Sequence, residues 1–203
     1  DFYHRYKEDI LLMKSLNISL KDTGINLGSS RGATGLFEEH HEKFLSEGKV
    51  SSRTSPSTTL GNLSSWVAQD IGSKGAVISH SITCSTALHG ILNAAAWLKS
   101  GMAKHFIVGG TEAPLTAFTL AQLEALKLYS KLDEDLACQS LNFNKKTNSL
   151  VLGEAACVFA ISEESKDAKA KISGLGYANE AIKHSIAIST DAKCFQQSMK
   201  MAL

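Results

Sequence analysis

The segment Ser79-His80-Ser81-Ile82-Thr83-Cys84-Ser85-Thr86-Ala87-Leu88-His89-Gly90 holds the best-placed nucleophile of the chain. Its pattern reads as a strand over 76–83 that runs straight into Cys84, followed by a helix over 85–99. A thiol at such a junction gains twice. Unpaired N–H groups and the positive end of the helix dipole stabilise a thiolate. The same N–H groups can stabilise the oxyanion that forms when a thioester carbonyl is attacked. The chemistry this suits is acyl transfer through sulfur. The pattern equally suits a small inert core thiol, since free cysteines are usually buried, and pattern alone leaves both readings open. Cys138, Cys157 and Cys194 form no Cys-x-x-Cys pair, and no histidine cluster has zinc spacing, so no metal site is expected. Cys157 reads as a strand core residue. His40-His41 reads as a solvated face of a charged helix. His89 lies too far round its helix to serve Cys84 as a base and reads as a packed, hydrogen-bonded residue.

The elements that must hold this junction follow from periodicity. Ile10, Leu11, Met13 and Leu16 suggest a helix over 4–17. Residues 24–30 read as a strand with a sharp exit. Residues 32–47 form an amphipathic helix with Leu36, Phe37, Phe44 and Leu45 on one side. The Ser/Thr-rich stretch 49–59, with Pro56, reads as a loop, and 60–71 as a helix. The helix over 85–99 is apolar on almost every side and should be buried all round. Phe106-Ile107-Val108 reads as a strand ended by Gly109-Gly110, followed by a helix over 118–129 and a polar loop over 131–148. The run 150–161, broken at Gly153-Glu154, reads as two strand segments or a bulged strand. A strand over 172–177 and a helix over 192–203 complete the chain. Strands alternating with helices indicate an α/β fold with a substantially parallel sheet.

Composition bounds the partners. The 203 residues include 21 Lys plus Arg and 20 Asp plus Glu, a net charge of +1. No basic excess exists to neutralise a run of phosphates, which argues against nucleic acid. Hydrophobic residues at 43% and charged residues at 20% suit a globular chain with a developed core. Only four cysteines make a disulfide framework improbable and favour a cytoplasmic setting. No apolar run approaches the roughly 20 residues that a membrane span needs, and the N-terminus carries no secretory signal pattern.

Four segments, taken in order, carry a resemblance. They are Gly28-Ser29-Ser30-Arg31-Gly32-Ala33, Thr83-Cys84-Ser85-Thr86-Ala87-Leu88-His89, Val108-Gly109-Gly110-Thr111-Glu112-Ala113 and Leu150-Val151-Leu152-Gly153-Glu154-Ala155-Ala156. With their spacing, they make the chain resemble the β-ketoacyl synthases of the thiolase-like superfamily over almost its whole length. The resemblance implies a thiolase-like α/β fold, a mixed sheet flanked by helices. It implies that the chain is the first of two similar halves, truncated at both ends and lacking the C-terminal half. The family's two histidines, lysine and glycine-rich segment from that half match nothing here. An isolated first half is then expected to expose an apolar face and to dissolve poorly.

The resemblance also assigns roles. Cys84 becomes the acyl-accepting nucleophile and a backbone oxyanion donor. Glu154 becomes a structural carboxylate paired to the missing half, and with Gly109, Gly110 and Gly153 it supports the site. Phe118, Leu120, Leu123 and Leu126 would border an acyl tunnel. Lys127, Lys49 and Arg53 would meet an acidic acyl carrier protein. Residues 76–83 and 113–128 would form a homodimer or heterodimer interface. The implied reaction is acyl transfer to Cys84, then decarboxylative condensation with a malonyl thioester, without a cofactor. Phe143-Asn144-Lys145-Lys146-Thr147-Asn148-Ser149-Leu150 departs from the family's charged loop, so its ion pairs should be missing or rebuilt. That departure favours an alternative, a non-catalytic or chain-length-type partner subunit. A thiolase proper, using coenzyme A, would share the fold and the cysteine but fits the glycine motifs less well.

Overall fold

The computed structural model describes residues 19–163, 168–183 and 189–203. The helix expected over 4–17 lies outside them. The chain divides after residue 163 into two compact units.

The first unit is built on a four-stranded sheet of β1 (Gly24–Gly28), β2 (Val77–His80), β3 (His105–Glu112) and β4 (Ala155–Ser162), in the order β2-β1-β3-β4. β1 pairs parallel with β2 and β3, and β4 pairs antiparallel with β3. The sheet is therefore mixed, as the family resemblance implies. All five residues of β1 are buried, the signature of a strand covered on both faces. The period of two divides its neighbours cleanly. Ile25, Leu27 and Ile107 face Ala68, Leu63, Val67 and Ile71 of α3 (Asn62–Ile71). Phe106 and Val108 face Ala94, Leu98 and Ile91 of α4 (Thr86–Lys99). Each such fully buried apolar side chain contributes about 1.5–3 kcal/mol. Trp97 meets the Phe106 ring edge-on at 6.1 Å.

Several expectations are corrected. β3 does not end at Gly109-Gly110 but runs through both. A Cβ on Gly109 would overlap the Cys157 carbonyl, and one on Gly110 would stand 2.9 Å from the Ala87 Cβ, so the glycines permit close layers rather than a turn. α4 is not buried all round. Only the i, i+4 stripe Thr86, Gly90, Ala94, Leu98 is fully buried, because one sheet face covers one helix stripe, and Leu88 is 69% exposed. The apolar side of α1 (Thr34–Glu47) is likewise exposed at Leu36, Phe37, Phe44 and Leu45. The loop expected over 49–59 contains a short helix, α2 (Thr54–Thr58). Pro56 is tolerated there because amides of the first turn have no acceptor to lose. α5 (Ala117–Ala125) stops short of residue 129. Lys127 sits at φ +57°, its amide donates to Glu124 O at 2.8 Å and Leu128 N to Leu123 O at 3.2 Å, a Schellman stop made without glycine. The run 150–161 gives one strand, β4. Leu150 contributes only an isolated bridge to Tyr129. Cys157 is exposed rather than a core residue, because one edge of β4 and one of its faces lack cover.

In the second unit no strand forms over 172–177, which has no strand to pair with among the described residues. The segment instead lies against α6 (Lys193–Ala202). Gly174 meets Ala202 O and Gly176 meets Ser198 O so closely that any Cβ would overlap them. Glu180 secures the helix start, accepting Ser189 Oγ at 2.9 Å and Cys194 N at 3.2 Å.

Candidate active site

β2 does not run straight into Cys84. It stops at His80, and residues 81–85 form a tight turn before α4. Thr86 builds this turn. Its Oγ1 accepts Ile82 N at 2.9 Å and donates to Thr83 O at 2.6 Å, while its amide reaches the same carbonyl at 3.2 Å. Thr83 holds φ +49°, an uncommon conformation for a β-branched residue. A second set of bonds ties the turn to the exit of β1. Ser30 Oγ donates to Thr83 O at 3.0 Å, and Ser81 Oγ donates to Ser30 O at 3.0 Å. Cys84 is thereby left exposed, one residue before the α4 N-cap Ser85. Ser85 turns its hydroxyl to Ile82 O at 3.2 Å, and no side chain caps the first turn of the helix. The start of α4, and with it the positive end of the helix dipole, therefore lies two residues from Cys84 along the chain.

The packing beneath is tight. A Cβ on Gly28 would overlap Thr86 Cγ2, and Gly110 abuts Ala87, so β1 and β3 press directly on the first turn of α4. His89 is the hydrogen-bonded helix residue expected, its Nδ1 donating to Ser85 O at 3.1 Å. His80 donates from Nε2 to Thr86 O at 3.0 Å, and its buried Nδ1 has no partner among the described residues. His41, exposed on α1, stacks with Phe37, whereas His40 is half-buried with Nε2 3.3 Å from Ser57 Oγ.

The remaining candidates are dispersed. Glu154 accepts Leu115 N at 3.1 Å, and Gly153 stands in open space. Phe118 lines a surface cavity of about 580 Å³ with Arg31, Phe37, Glu38 and His41, while Leu120 and Leu123 are half-buried elsewhere on α5 and Leu126 is exposed. Lys127, Lys49 and Arg53 are all exposed. In the divergent loop, Asn148 Nδ2 donates to Lys127 O at 2.8 Å and the Asn144 amide donates to Asn142 Oδ1 at 2.9 Å. Sequence reasoning missed Ser30, Ser81, Thr83, Thr86 and Glu112 as parts of the site. All five lie in segments already quoted for their pattern, but nothing local to them gave a partner or a role. Among the described residues no group of three His, Cys, Asp or Glu is arranged to hold a metal ion, and no helix is long and apolar enough to cross a membrane.

The family model for the β-ketoacyl synthase N-terminal domain matches residues 11–167. The chain belongs to the β-ketoacyl synthase family. It is 28% identical to 3-oxoacyl-[acyl-carrier-protein] synthase 2 of Vibrio cholerae, over 89% of this chain and 45% of that protein. It is 30% identical to the Coxiella burnetii protein of the same name, again over 89% of this chain and 45% of the relative. The chain thus spans about half the length of these synthases. Its fold is shared with a ketosynthase solved with its type II polyketide acyl carrier protein, at TM-score 0.81 and 22% identity, covering 94% of this chain and 51% of that one. It is shared too with a Xenorhabdus doucetiae ketosynthase solved with its chain length factor, at TM-score 0.76 and 17% identity, covering 98% and 48%.

Proposed function

We propose that this β-ketoacyl synthase chain supplies the acyl-accepting half of a β-ketoacyl-acyl carrier protein synthase, with Cys84 as nucleophile. The observation that carries this reading is an exposed thiol on a strained turn at the uncapped N-terminus of α4. In the first step the Cys84 thiolate attacks the carbonyl of a carrier-bound acyl thioester. The carrier C–S bond breaks, and the carrier sulfur leaves as a thiolate that takes up the proton Cys84 released to solvent on ionising. First-turn amides of α4 stabilise the tetrahedral oxyanion. In the second, a malonyl thioester loses carbon dioxide, and its α-carbon attacks the acyl carbonyl on Cys84. The Cys84–acyl bond breaks, releasing a β-ketoacyl thioester two carbons longer. That step draws on residues of the family's second half, beyond what this chain matches.

Further roles follow from the same reading. Phe118 borders the acyl chain, with Leu120 and Leu123 further along α5 and Leu126 just past its end. Lys127, Lys49 and Arg53 offer exposed cations to an acidic carrier. β2, as an outer strand of the sheet, meets a second subunit of like fold. The setting is cytoplasmic.

The test uses the full-length protein with acyl- and malonyl-carrier thioesters. Cys84→Ala is expected to abolish acyl-enzyme and lower condensation on the order of 10³-fold or more. Wild-type turnover that survives this substitution would refute the assignment. The chain-length-type partner reading is favoured by one observation, the 143–150 loop, which carries Lys145 and Lys146 but no acidic residue. Turnover that requires an added second subunit, and that persists when Cys84 is replaced in this one alone, would select it.

A further inference from the structure

We propose that Glu112 is a positioning residue for Cys84, acting through the exit of β1 and the Thr83 carbonyl. The inference rests on Cys84 being the nucleophile. Glu112 closes β3, and its Oε1 takes both the Ser30 amide and Ser29 Oγ, the latter at 3.2 Å. Ser29 Oγ in turn accepts Gly32 N at 2.8 Å, so the carboxylate fixes the whole Ser29–Gly32 bend. Held there, Ser30 presents its two polar groups to the nucleophile turn. Its Oγ donates to Thr83 O and its carbonyl accepts Ser81 Oγ, each at 3.0 Å.

Thr83 precedes Cys84 directly and holds the left-handed φ of +49°. A β-branched residue keeps that conformation only when its surroundings over-determine it. Its carbonyl is gripped from two sides, by Thr86 from within the turn and by Ser30 from across the sheet edge. The Thr86 grip comes from within the turn, whose first helical residue packs against Gly28. The Ser30 grip is the hydrogen bond that refers the peptide plane before Cys84 to the exit of β1, and Glu112 is its anchor. Charge suits the task, because an ionised carboxylate oxygen accepts two donors more strongly than an amide oxygen of the same shape. Glu112 does not itself touch the reacting atoms; it sets the orientation of the peptide that carries the thiol.

The experiment measures initial rates of iodoacetamide alkylation at individual cysteines of the full-length protein by peptide mass spectrometry. Exposed Cys138 serves as internal reference. Glu112→Ala is expected to slow Cys84 roughly tenfold relative to Cys138, the scale of one lost charge-assisted hydrogen bond. Glu112→Gln, which keeps the acceptor, should recover most of that loss. Ser30→Ala should slow Cys84 by a similar factor. The double variant should be no slower than Glu112→Ala within about twofold, because the two residues act in series. A general structural role would slow no cysteine selectively and would make the two effects multiply. An unaffected Cys84 rate in both single variants, or multiplying effects, overturns the inference alone. A Cys84 that reacts no faster than the thiol of an unstructured cysteine peptide alkylated under the same conditions overturns the nucleophile assignment and this inference with it.

Discussion

The contact between β1 and α4 makes a quantitative prediction about the nucleophile turn. A methyl at Gly28 would overlap Thr86 Cγ2 and stand 3.1 Å from His80 O. Thr86 cannot yield by rotating, since its Oγ1 is held by Ile82 N and Thr83 O. Rotation would trade the overlap for two hydrogen bonds of about 1 kcal/mol each. Gly28→Ala should therefore cost about 2–3 kcal/mol, near the upper range for overpacking. Thr86→Ser deletes the offending methyl but keeps the hydroxyl, and alone should cost about 1 kcal/mol. In the double variant the new methyl occupies the vacated space, and only the His80 carbonyl must give by a few tenths of an ångström. Its cost should be about 1 kcal/mol, leaving a coupling of about 2 kcal/mol in the rescuing direction. Urea unfolding of the four full-length proteins, with slopes compared to verify a common transition, measures this directly. The Cys84 alkylation rate should follow the same order, falling in Gly28→Ala and recovering in the double variant. Additive costs, or a double variant as unreactive as Gly28→Ala, would show that Thr86 does not transmit strand packing to the turn.

Three other outcomes are expected. Ser64→Ala should cost about 1–3 kcal/mol by urea denaturation, because buried Ser64 Oγ accepts Leu27 N at 2.9 Å and donates to Ile78 O at 2.5 Å, bridging β1 and β2. The Ser189 hydroxyl, and then the Cys194 amide, hold the Glu180 carboxyl below its ordinary range. A lowered folded value means that stabilisation is present above about pH 4.3, the unfolded value, and is lost as pH falls through the folded one. Glu180→Gln should flatten that acid loss of the α6 helix, followed by amide exchange. Cys138, whose thiol is held below the usual range chiefly by its hydrogen bond from Ser140 at 3.3 Å, should alkylate at lower pH than an ordinary exposed thiol. Ser140→Ala should move that pH profile upward, and an unmoved profile would remove Ser140 as the cause.

Much of the fold was legible because burial wrote it into the pattern. β1 reads as an apolar run since both faces are covered, and α3 shows its stripe since only one is. What failed to show were features set by partners distant in sequence. Gly109 and Gly110 read as a strand end, yet their function is to admit the Cys157 carbonyl and Ala87. Cys157 reads as core, but its position at the sheet margin leaves it exposed. The end of α5 was invisible because Lys127 takes the left-handed position that glycine usually marks. Residues 172–177 have strand-like composition, but a strand also needs a neighbour, and α6 lies there instead. At the site, Cys84 was readable from the small, polar residues around a strand-to-helix change. The restraints on Thr83 were not, because Ser30 is 53 positions away along the chain.

The four motif segments have one physical cause in common. In register, Gly28 stands beside His80 and Gly110, and Glu112 beside Ala155. The exits of β1, β2 and β3 and the start of antiparallel β4 therefore converge on one edge of the sheet. At the carboxyl edge of parallel strands, chain exits and helix N-termini gather, and polar backbone is left for ligands to meet. The residues that recur in the motifs are the types such an edge demands. Glycine lets layers meet where strands cross under α4, hydroxyl side chains satisfy the amides and carbonyls that the ladder no longer pairs, and Glu112 ties two exits together. It follows that substitutions at this edge should couple to Cys84 from elements far apart in sequence, including Ser29 and Glu112, which are bonded to each other across 83 positions. Equally conservative changes at the opposite edge, such as His105→Gln at the start of β3, should alter stability by roughly 0.5 kcal/mol or less and leave the alkylation rate of Cys84 unchanged.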